Sequence, residues 1–411
     1  MLTKELNELL LHVGPGTAGG EFLRRYWWPV GLSKDSDSGG QPKEIRVMGE
    51  DLVLFRDQQG RPGLVGLHCS HRLVSLAYGR VEDGGIRCPM HGWLYDVSGS
   101  CLEQPAEPDP TFRDRIRHPA YPCQELGGLI FAYLGPPERK PLLPNYESLV
   151  RTDGTRQVTW YPIGGNYVQH VEGAVDTVHG AYLHNGAWSK EKHVLATLPL
   201  PKIDFAETEY GLWQRGDKPH AGSNVSLIYT YFVMPAGFLR IGGGDRNESQ
   251  EIDKNQSWYT PVDDGSCVRY QVSFAPFGAD GSPRPWPPDG EVRYPGPDKD
   301  YGRDYYRIDS ISGVSPRPHE SFRAQDTLAN QTQGMPIVDR SLEHLGAHDQ
   351  PLTAMRMMIL KGISDVQKGL DPKHIIREPE RNEIVYVRGT PEGADPLEYF
   401  AREREPALEA R

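Results

Sequence analysis

His68-Cys69-Ser70-His71-Arg72 and, further on, Cys88-Pro89-Met90-His91-Gly92-Trp93-Leu94-Tyr95-Asp96 set two thiols and two imidazoles on two short loops, with sixteen residues between His71 and Cys88. Each loop offers a thiolate and an imidazole so close in sequence that both can reach one small inorganic centre only from a tight turn. Apolar runs, Leu52 to Phe55 and Leu64 to Leu67, lead into the first loop as strands would. Two chemistries accept this donor set. In a [2Fe–2S] centre of mixed ligation the cysteines hold one iron and the histidines the other, which raises the reduction potential above that of an all-cysteine cluster. A structural zinc ion takes two cysteines and two histidines as a tetrahedron. Residue types and spacing leave both open.

A second constellation lies between Asn166 and His184, in a stretch of helical character carrying Glu172, Asp176, His179 and His184. On a continuous helix Glu172 and Asp176, four apart, share a face, as do Asp176 and His179, three apart. His179 and His184 are five apart, about 140° around a helix, so one ion takes both only if the helix ends or distorts between them. Gly180 is the expected place. A single histidine here is explained by a satisfied core position. Two histidines with two carboxylates in thirteen residues suit the two-histidine, one-carboxylate face of a non-haem Fe(II) site.

Together these motifs resemble the oxygenase component of Rieske non-haem iron oxygenases of the phthalate dioxygenase type. The similarity runs over nearly the whole length: Val13-Gly14-Pro15-Gly16-Thr17, Arg24-Arg25-Tyr26-Trp27-Trp28-Pro29-Val30, Trp258 to Asp264, Gln325-Asp326, and Asp339 to Gly346. The resemblance implies an α+β chain, with an N-terminal β-rich Rieske domain followed by a helix-grip-like catalytic domain built on an antiparallel sheet. It implies a [2Fe–2S] cluster on Cys69, His71, Cys88 and His91, and a mononuclear Fe(II) on His179, His184 and Asp326, with O2 as co-substrate. Asp339 is the competing carboxylate. Asp176 takes the catalytic bridging role, linking His91 of one chain to the partner subunit's His179 in a homotrimer or a dimer of trimers. Leu73 and Val74 depart from the family pattern, which has a small residue first, and Met90 stands where an aromatic residue is frequent.

Composition agrees with this reading. The chain has 411 residues and a net charge of −11, from 56 acidic against 45 basic groups, so electrostatics give no support for a nucleic-acid partner. Five cysteines, two assigned to the cluster, leave an odd and scattered remainder, which argues for a reducing, cytoplasmic setting. No apolar run approaches a membrane span. The expected organisation is an N-terminal helical segment (1–42), a Rieske domain (43–140) and a catalytic domain (141–411), the last boundary resting on the proline-rich Pro136-Pro137 to Pro144 crossing. Helices are expected near 324–345, with Asp326 close to the start, and near 351–370. The charged tail from Tyr399 reads as a solvated helix.

The reaction expected is hydroxylation, or oxidative demethylation or cleavage, of an aromatic and carboxylated substrate by a mono- or dioxygenase. Electrons come from a separate NAD(P)H-dependent reductase with flavin and ferredoxin-type centres, since Gly242-Gly243-Gly244 lacks the strand and helix of a dinucleotide site. Arg215 and Arg240, in strand-like segments, are the candidate guanidinium forks for a substrate carboxylate. Tyr231, Phe232, Met234 and Phe238 suit an apolar pocket but are first of all core candidates. An electron carrier with a ligand-binding domain and a zinc-stabilised binding protein are the alternatives.

Overall fold

The computed structural model describes residues 2–183, 203–218, 226–241, 254–294, 297–302 and 318–385. His184, Gly242 to Gly244 and the charged tail fall outside them.

The first part of the chain is α1 (Lys4–Leu11), α2 (Ala18–Leu23), β1 (Trp27–Leu32), β2 (Lys43–Val47), β3 (Glu50–Arg56), β4 (Pro62–Gly66), β5 (Arg80–Glu82), β6 (Gly85–Arg87), β7 (Leu94–Asp96), β8 (Cys101–Glu103), β9 (Ala120–Tyr121), β10 (Cys123–Leu126) and β11 (Leu129–Tyr133). The strands form three small sheets, ordered β1-β11-β10, β2-β3-β4-β9 and β5-β6-β7-β8. Two-residue turns with both φ angles positive match the twist of the strands they join. Asp83 and Gly84 (φ 52° and 80°) connect β5 to β6, and Gly127 and Gly128 (φ 61° and 88°) connect β10 to β11. Val53, Phe55, Val65, Leu67, Leu76, Ile86, Trp93 and Tyr95 close the core of this half beside Cys69 and Cys88.

After α3 (Glu147–Val150) come β12 (Gly154–Gly164), α4 (Tyr167–Val175), α5 (His179–Tyr182), β13 (Ile203–Glu207), β14 (Gly211–Lys218), β15 (Ser226–Val233), β16 (Gly237–Ile241), β17 (Lys254–Asp263), β18 (Ser266–Pro276), β19 (Gly290–Glu291), α6 (Pro318–Thr332) and α7 (Gln350–Gln367). The strands make one large sheet, β13-β14-β15-β16-β17-β18-β12-β19, antiparallel except at the β12–β19 edge. Side chains alternate between its faces. Gln214, Thr230, Arg240, Asn255 and Ser273 stand opposite one another across β14 to β18 and so share one face. On the other face Trp213, Tyr231, Leu239, Trp258, Tyr270 and Val272 pack with Trp27, Leu129, Phe131 and Tyr133 of the β1-β11-β10 sheet. This polar face is covered by α4 and α7, and α6 reaches its β18 and β12 edge through Arg323 to Gln271 (2.8 Å) and Gln331 to Gly164 O (2.7 Å).

The α+β architecture and the antiparallel sheet follow the sequence reading, and three details differ. The first 42 residues are not a separate piece, since β1 pairs along β11 while α1 and α2 pack against α7. The helix expected over 324–345 runs instead from Pro318 to Thr332, so Asp326 lies mid-helix. Gly334, at φ 155°, and Pro336 break the chain there. Tyr231 belongs to the inter-domain core, whereas Phe232 and Met234 join the core under the helices.

Gly127 illustrates how tightly the halves meet, because a Cβ on it would lie 2.5 Å from Leu149 Cδ2 and 2.8 Å from Leu149 Cα. Gly60, at φ 82°, has nothing within 4 Å. Gly127→Ala is expected to destabilise the protein by about 2–4 kcal/mol, strain plus clash, against about 1 kcal/mol for Gly60→Ala. Parallel unfolding curves of the two variants test this.

Candidate metal centres

The first centre sits at the tip of the small sheets. Cys69 N–H donates to Val74 O (2.9 Å) and Leu73 N–H back to Cys69 O (2.9 Å), with Leu73 in the left-handed region at φ 60°. In the second loop Cys88 N–H reaches Trp93 O (2.8 Å) and Gly92 N–H reaches Cys88 O (3.1 Å). Both cysteines are buried, at 1% and 2% exposure. Burial pushes the Cys88 thiol up, Cys69 adds to that, and the amides of Met90 and His91 pull the other way. The His71 and His91 rings lie 4.6 Å apart on the outer side, with His71 stacked on Trp93 at 4.7 Å. Sulfur donors inside and nitrogen donors outside suit a two-iron cluster whose histidine-bound iron faces solvent. Leu73 and Met90, the departures from pattern, are 72% and 49% exposed and flank the histidines.

The second centre is built by α4, α5 and α6. Asn166 and Gln169 form a capping box at the start of α4, Asn166 Oδ1 accepting from Val168 N–H (3.1 Å) and Gln169 Oε1 from Asn166 N–H (3.2 Å). Gly173 lets α6 approach: a Cβ there would lie 2.3 Å from Asn330 Oδ1. Asn330 is one turn beyond Asp326, so this close packing carries Asp326 toward the end of α4. The helix stops at Asp176, whose backbone is extended (φ −65°, ψ 117°) and whose Oδ1 accepts from Val178 N–H (2.7 Å) and His179 N–H (3.3 Å). An aspartate side chain that captures the next amides competes with helix propagation. The break therefore falls at Asp176, not at Gly180, and Asp176 and His179 do not share one continuous helix.

That break turns His179 toward α6. Its Nε2 lies 3.5 Å from Asp326 Oδ1 and its Nδ1 3.8 Å from Asp176 Oδ2. Donors about 2.1 Å from a shared first-row cation sit roughly 3.0–3.4 Å apart at right to tetrahedral angles, so His179 and Asp326 have the spacing of two ligands. Burial lowers the basicity of His179, but Asp326 and Asp176 outweigh it and raise its pKa above the ordinary imidazole value. A site this electronegative favours a cation. Asp339 is not part of it, since it is exposed and caps a turn, accepting from Ser341 N–H (3.0 Å) and Oγ (2.6 Å).

The two arginine candidates separate by strand parity. Arg215 stands opposite Tyr229 and is ion-paired to Asp204 on β13, on the face away from the helices, which corrects its assignment as a substrate residue. Arg240 is on the helix-covered face. Burial lowers its pKa, Asp326 partly offsets that, and Arg269 adds to it. Among the described residues it has no hydrogen bond or ion pair.

Glu172 is neither surface nor ligand. Its carboxylate accepts two bonds from Arg340 (both 2.8 Å) and one from Arg356 (2.6 Å), all buried. Arg356 continues to Glu343 (2.6 and 2.9 Å) and Arg340 to Asn7 on α1 (3.3 Å). Burial opposes the charged carboxylate, yet the two guanidiniums hold it below the ordinary range. Asp176 N–H donates to Glu172 O (2.9 Å), so this hub fixes the end of α4. Arg340 and Arg356 escaped the sequence reading, although Arg340 lies in the Asp339 to Gly346 segment that carried the resemblance. A cavity of about 380 Å³ opens beside the hub and exposes Asp176, His179 and Asp326.

A family model described as the Rieske [2Fe-2S] domain matches residues 26–122. The phenoxybenzoate dioxygenase subunit alpha of Ectopseudomonas oleovorans is 43% identical over 92% of this chain and 89% of its own. The chain belongs to the Rieske non-haem iron oxygenases. This Rieske oxygenase is 45% identical to the tert-butanol monooxygenase / tert-amyl alcohol desaturase oxygenase subunit of Aquincola tertiaricarbonis, over 86% of this chain and 76% of that one. It is 32% identical to the phthalate 4,5-dioxygenase oxygenase subunit of Pseudomonas putida, over 90% and 88%. The crystal structure of dicamba monooxygenase bound to dicamba shares its fold, with a TM-score of 0.61 at 16% identity over 85% of this chain and 99% of that one. The protein is thus an oxygenase component with a Rieske [2Fe–2S] domain, within which both the Cys69/His71 and Cys88/His91 loops lie, and it depends on a separate electron donor.

Glu172→Gln leaves two buried guanidiniums sharing one fewer carboxylate and is expected to cost about 3–5 kcal/mol. Asp339→Ala removes only an exposed cap, about 0.5–1 kcal/mol. Unfolding free energies of the two variants, measured side by side, check the contrast.

Proposed function

We propose that the second centre holds a mononuclear Fe(II) on His179, Asp326 and His184, and that the protein oxygenates an aromatic carboxylate. The iron assignment rests on the 3.5 Å approach of His179 Nε2 to Asp326 Oδ1, supported by the electronegative site around them. Fe(II) bound by two imidazoles and one carboxylate supplies open positions for O2 beside the substrate. His179 and Asp326 present their donors from two helices clamped by Gly173. Asp176 faces the other ring nitrogen of His179, where a carboxylate fixes tautomer and orientation.

Asp176 also opens onto the cavity, and the His71 and His91 rings lie at the outer side of the cluster tip. We infer that Asp176 accepts from His91 of the partner subunit, so that the two centres communicate across the interface of a homotrimer or a dimer of trimers. The exposed Leu73, Met90 and Arg72 of the tip and the Glu343, Asp349 and Leu345 rim of the cavity are complementary in charge and apolarity. Electrons enter from an NAD(P)H-dependent reductase with flavin and ferredoxin-type centres, and the free cysteines suit a cytoplasmic setting.

Arg240 carries the substrate reading. Among the described residues no anion is hydrogen-bonded to this half-buried guanidinium, and a substrate carboxylate beside the iron would complete it. The relative acting on phenoxybenzoate favours this class. The tert-butanol monooxygenase relative favours a second reading, a small uncharged alcohol.

Two measurements test these assignments. Asp326→Ala is expected to lose the mononuclear iron while keeping the cluster spectrum, whereas Asp176→Asn keeps both metals and slows cluster reoxidation in a single turnover with substrate and O2; unmodified reoxidation would remove Asp176 from the path. Arg240→Gln is expected to weaken aromatic carboxylates about 10- to 150-fold, the worth of a charge-assisted hydrogen bond, and to leave tert-butanol binding unchanged. Equal effects on both ligands, or none on the acids, would reject the carboxylate reading.

A further inference from the structure

His118 is 3% exposed and belongs to neither ligand motif. Its Nε2 lies 2.8 Å from Gly66 O and its Nδ1 2.8 Å from Ser70 Oγ. A carbonyl oxygen only accepts, so Nε2 carries the proton. In the neutral ring Nδ1 is then the acceptor, and the Ser70 hydroxyl must donate to it. Burial lowers the pKa of His118, which agrees with a neutral ring. The Tyr95 ring stacks on the imidazole at 4.5 Å and 27°, and His118 N–H donates to Gly99 O (2.9 Å). Tautomer, ring plane and backbone are each held independently.

Ser70 lies between Cys69 and His71, which take different irons of the cluster. Its loop contains Leu73 in a left-handed conformation at φ 60°, a strain of about 1 kcal/mol or more for a non-glycine residue. Leu73 is 72% exposed and offers no packing in return. The backbone bonds that close the loop, Cys69 N–H to Val74 O and Leu73 N–H to Cys69 O, are internal to it and do not tie it to the domain. Side chains from outside the loop that reach it include Tyr95 Oη at Cys69 Sγ (3.2 Å), the Trp93 and His91 rings at His71, and His118 at Ser70. The contacts of Tyr95 with Cys69 and of Trp93 and His91 with His71 touch ligands. His118 instead holds the residue that spans them.

We infer that His118 is a positioning residue for the cluster: by accepting from Ser70 while donating to Gly66, it latches the Cys69–His71 ligand loop to the end of β4 against the strain at Leu73. The role rests on the cluster assignment, and the two fail differently, because an unmodified protein without cluster would show no iron release to follow.

The test uses the full-length protein with its cluster loaded and measures iron release to a strong ferrous chelator under reducing conditions, with the electron paramagnetic resonance spectrum of the reduced cluster alongside. Ser70→Ala removes the donor and leaves the His118–Tyr95 stack. His118→Phe keeps a ring against Tyr95 and removes both hydrogen bonds. Each is expected to speed release several-fold and to shift or broaden the g values. The double variant should release iron no faster than His118→Phe alone, since both changes break one bond. Release from Ser70→Ala at the unmodified rate would overturn the latch, as would effects that multiply in the double variant. If His118→Phe does not fold, the Ser70→Ala rate and spectrum decide alone.

Discussion

An antiparallel sheet covered on both faces governs the rest of this structure. Such sheets commonly leave one face to solvent and show a single apolar alternation. Here the face toward the Rieske half carries Trp213, Tyr231, Trp258 and Tyr270 and is closed by aromatic packing. The opposite face carries Gln214, Thr230, Arg240, Asn255 and Ser273 in one row and is roofed by helices. Burying polar groups costs free energy unless they find partners. Part of this row is satisfied within the protein, Gln214 donating to Val175 O and Ser273 to Asn255, while Leu212, Phe232 and Tyr259 on the same face pack under the helices.

Charge is balanced differently on the two sides of the roof. At the outer side Glu172 is closed by Arg340 and Arg356, whose other contacts reach α1 and Glu343. This hub is a poor source of net stability, because desolvation offsets much of the attraction. Its value lies in geometry, since it joins distant parts of the chain at the last turn before Asp176. At the inner side Arg240, half-buried, has no such closure among the described residues, and Asp326 and His179 face each other across a gap of ligand dimensions.

The two centres use the backbone in the same way. Each places a donor beside a point where regular structure is interrupted: Leu73 in the left-handed region just after Cys69 and His71, and the Asp176 cap just before His179. Local interruptions hold side chains at angles that continuous helices and strands do not provide. They persist because long-range contacts over-determine them, Gly173 against Asn330 in one case and His118 against Ser70 in the other.

What the sequence by itself determined was the two donor sets, with the resemblance to a family choosing the cluster over zinc. Cluster ligands come as Cys-x-His and Cys-x-x-His, and the iron helix opens with a capping box, because these depend on residues within a few positions of each other. Only the tertiary structure decided between equals. Arg215 and Arg240 look alike in sequence, but strand register sends them to opposite faces and hands Arg215 to Asp204. Asp326 and Asp339 were both acids in a stretch read as one helix, until Gly334 and Pro336 broke it and left Asp339 capping an exposed turn. Glu172, one of the two carboxylates before the histidines, became the buried centre of two arginines more than 160 positions away. Pairings of this kind are set by which surfaces meet, and spacing along the chain carries no record of them.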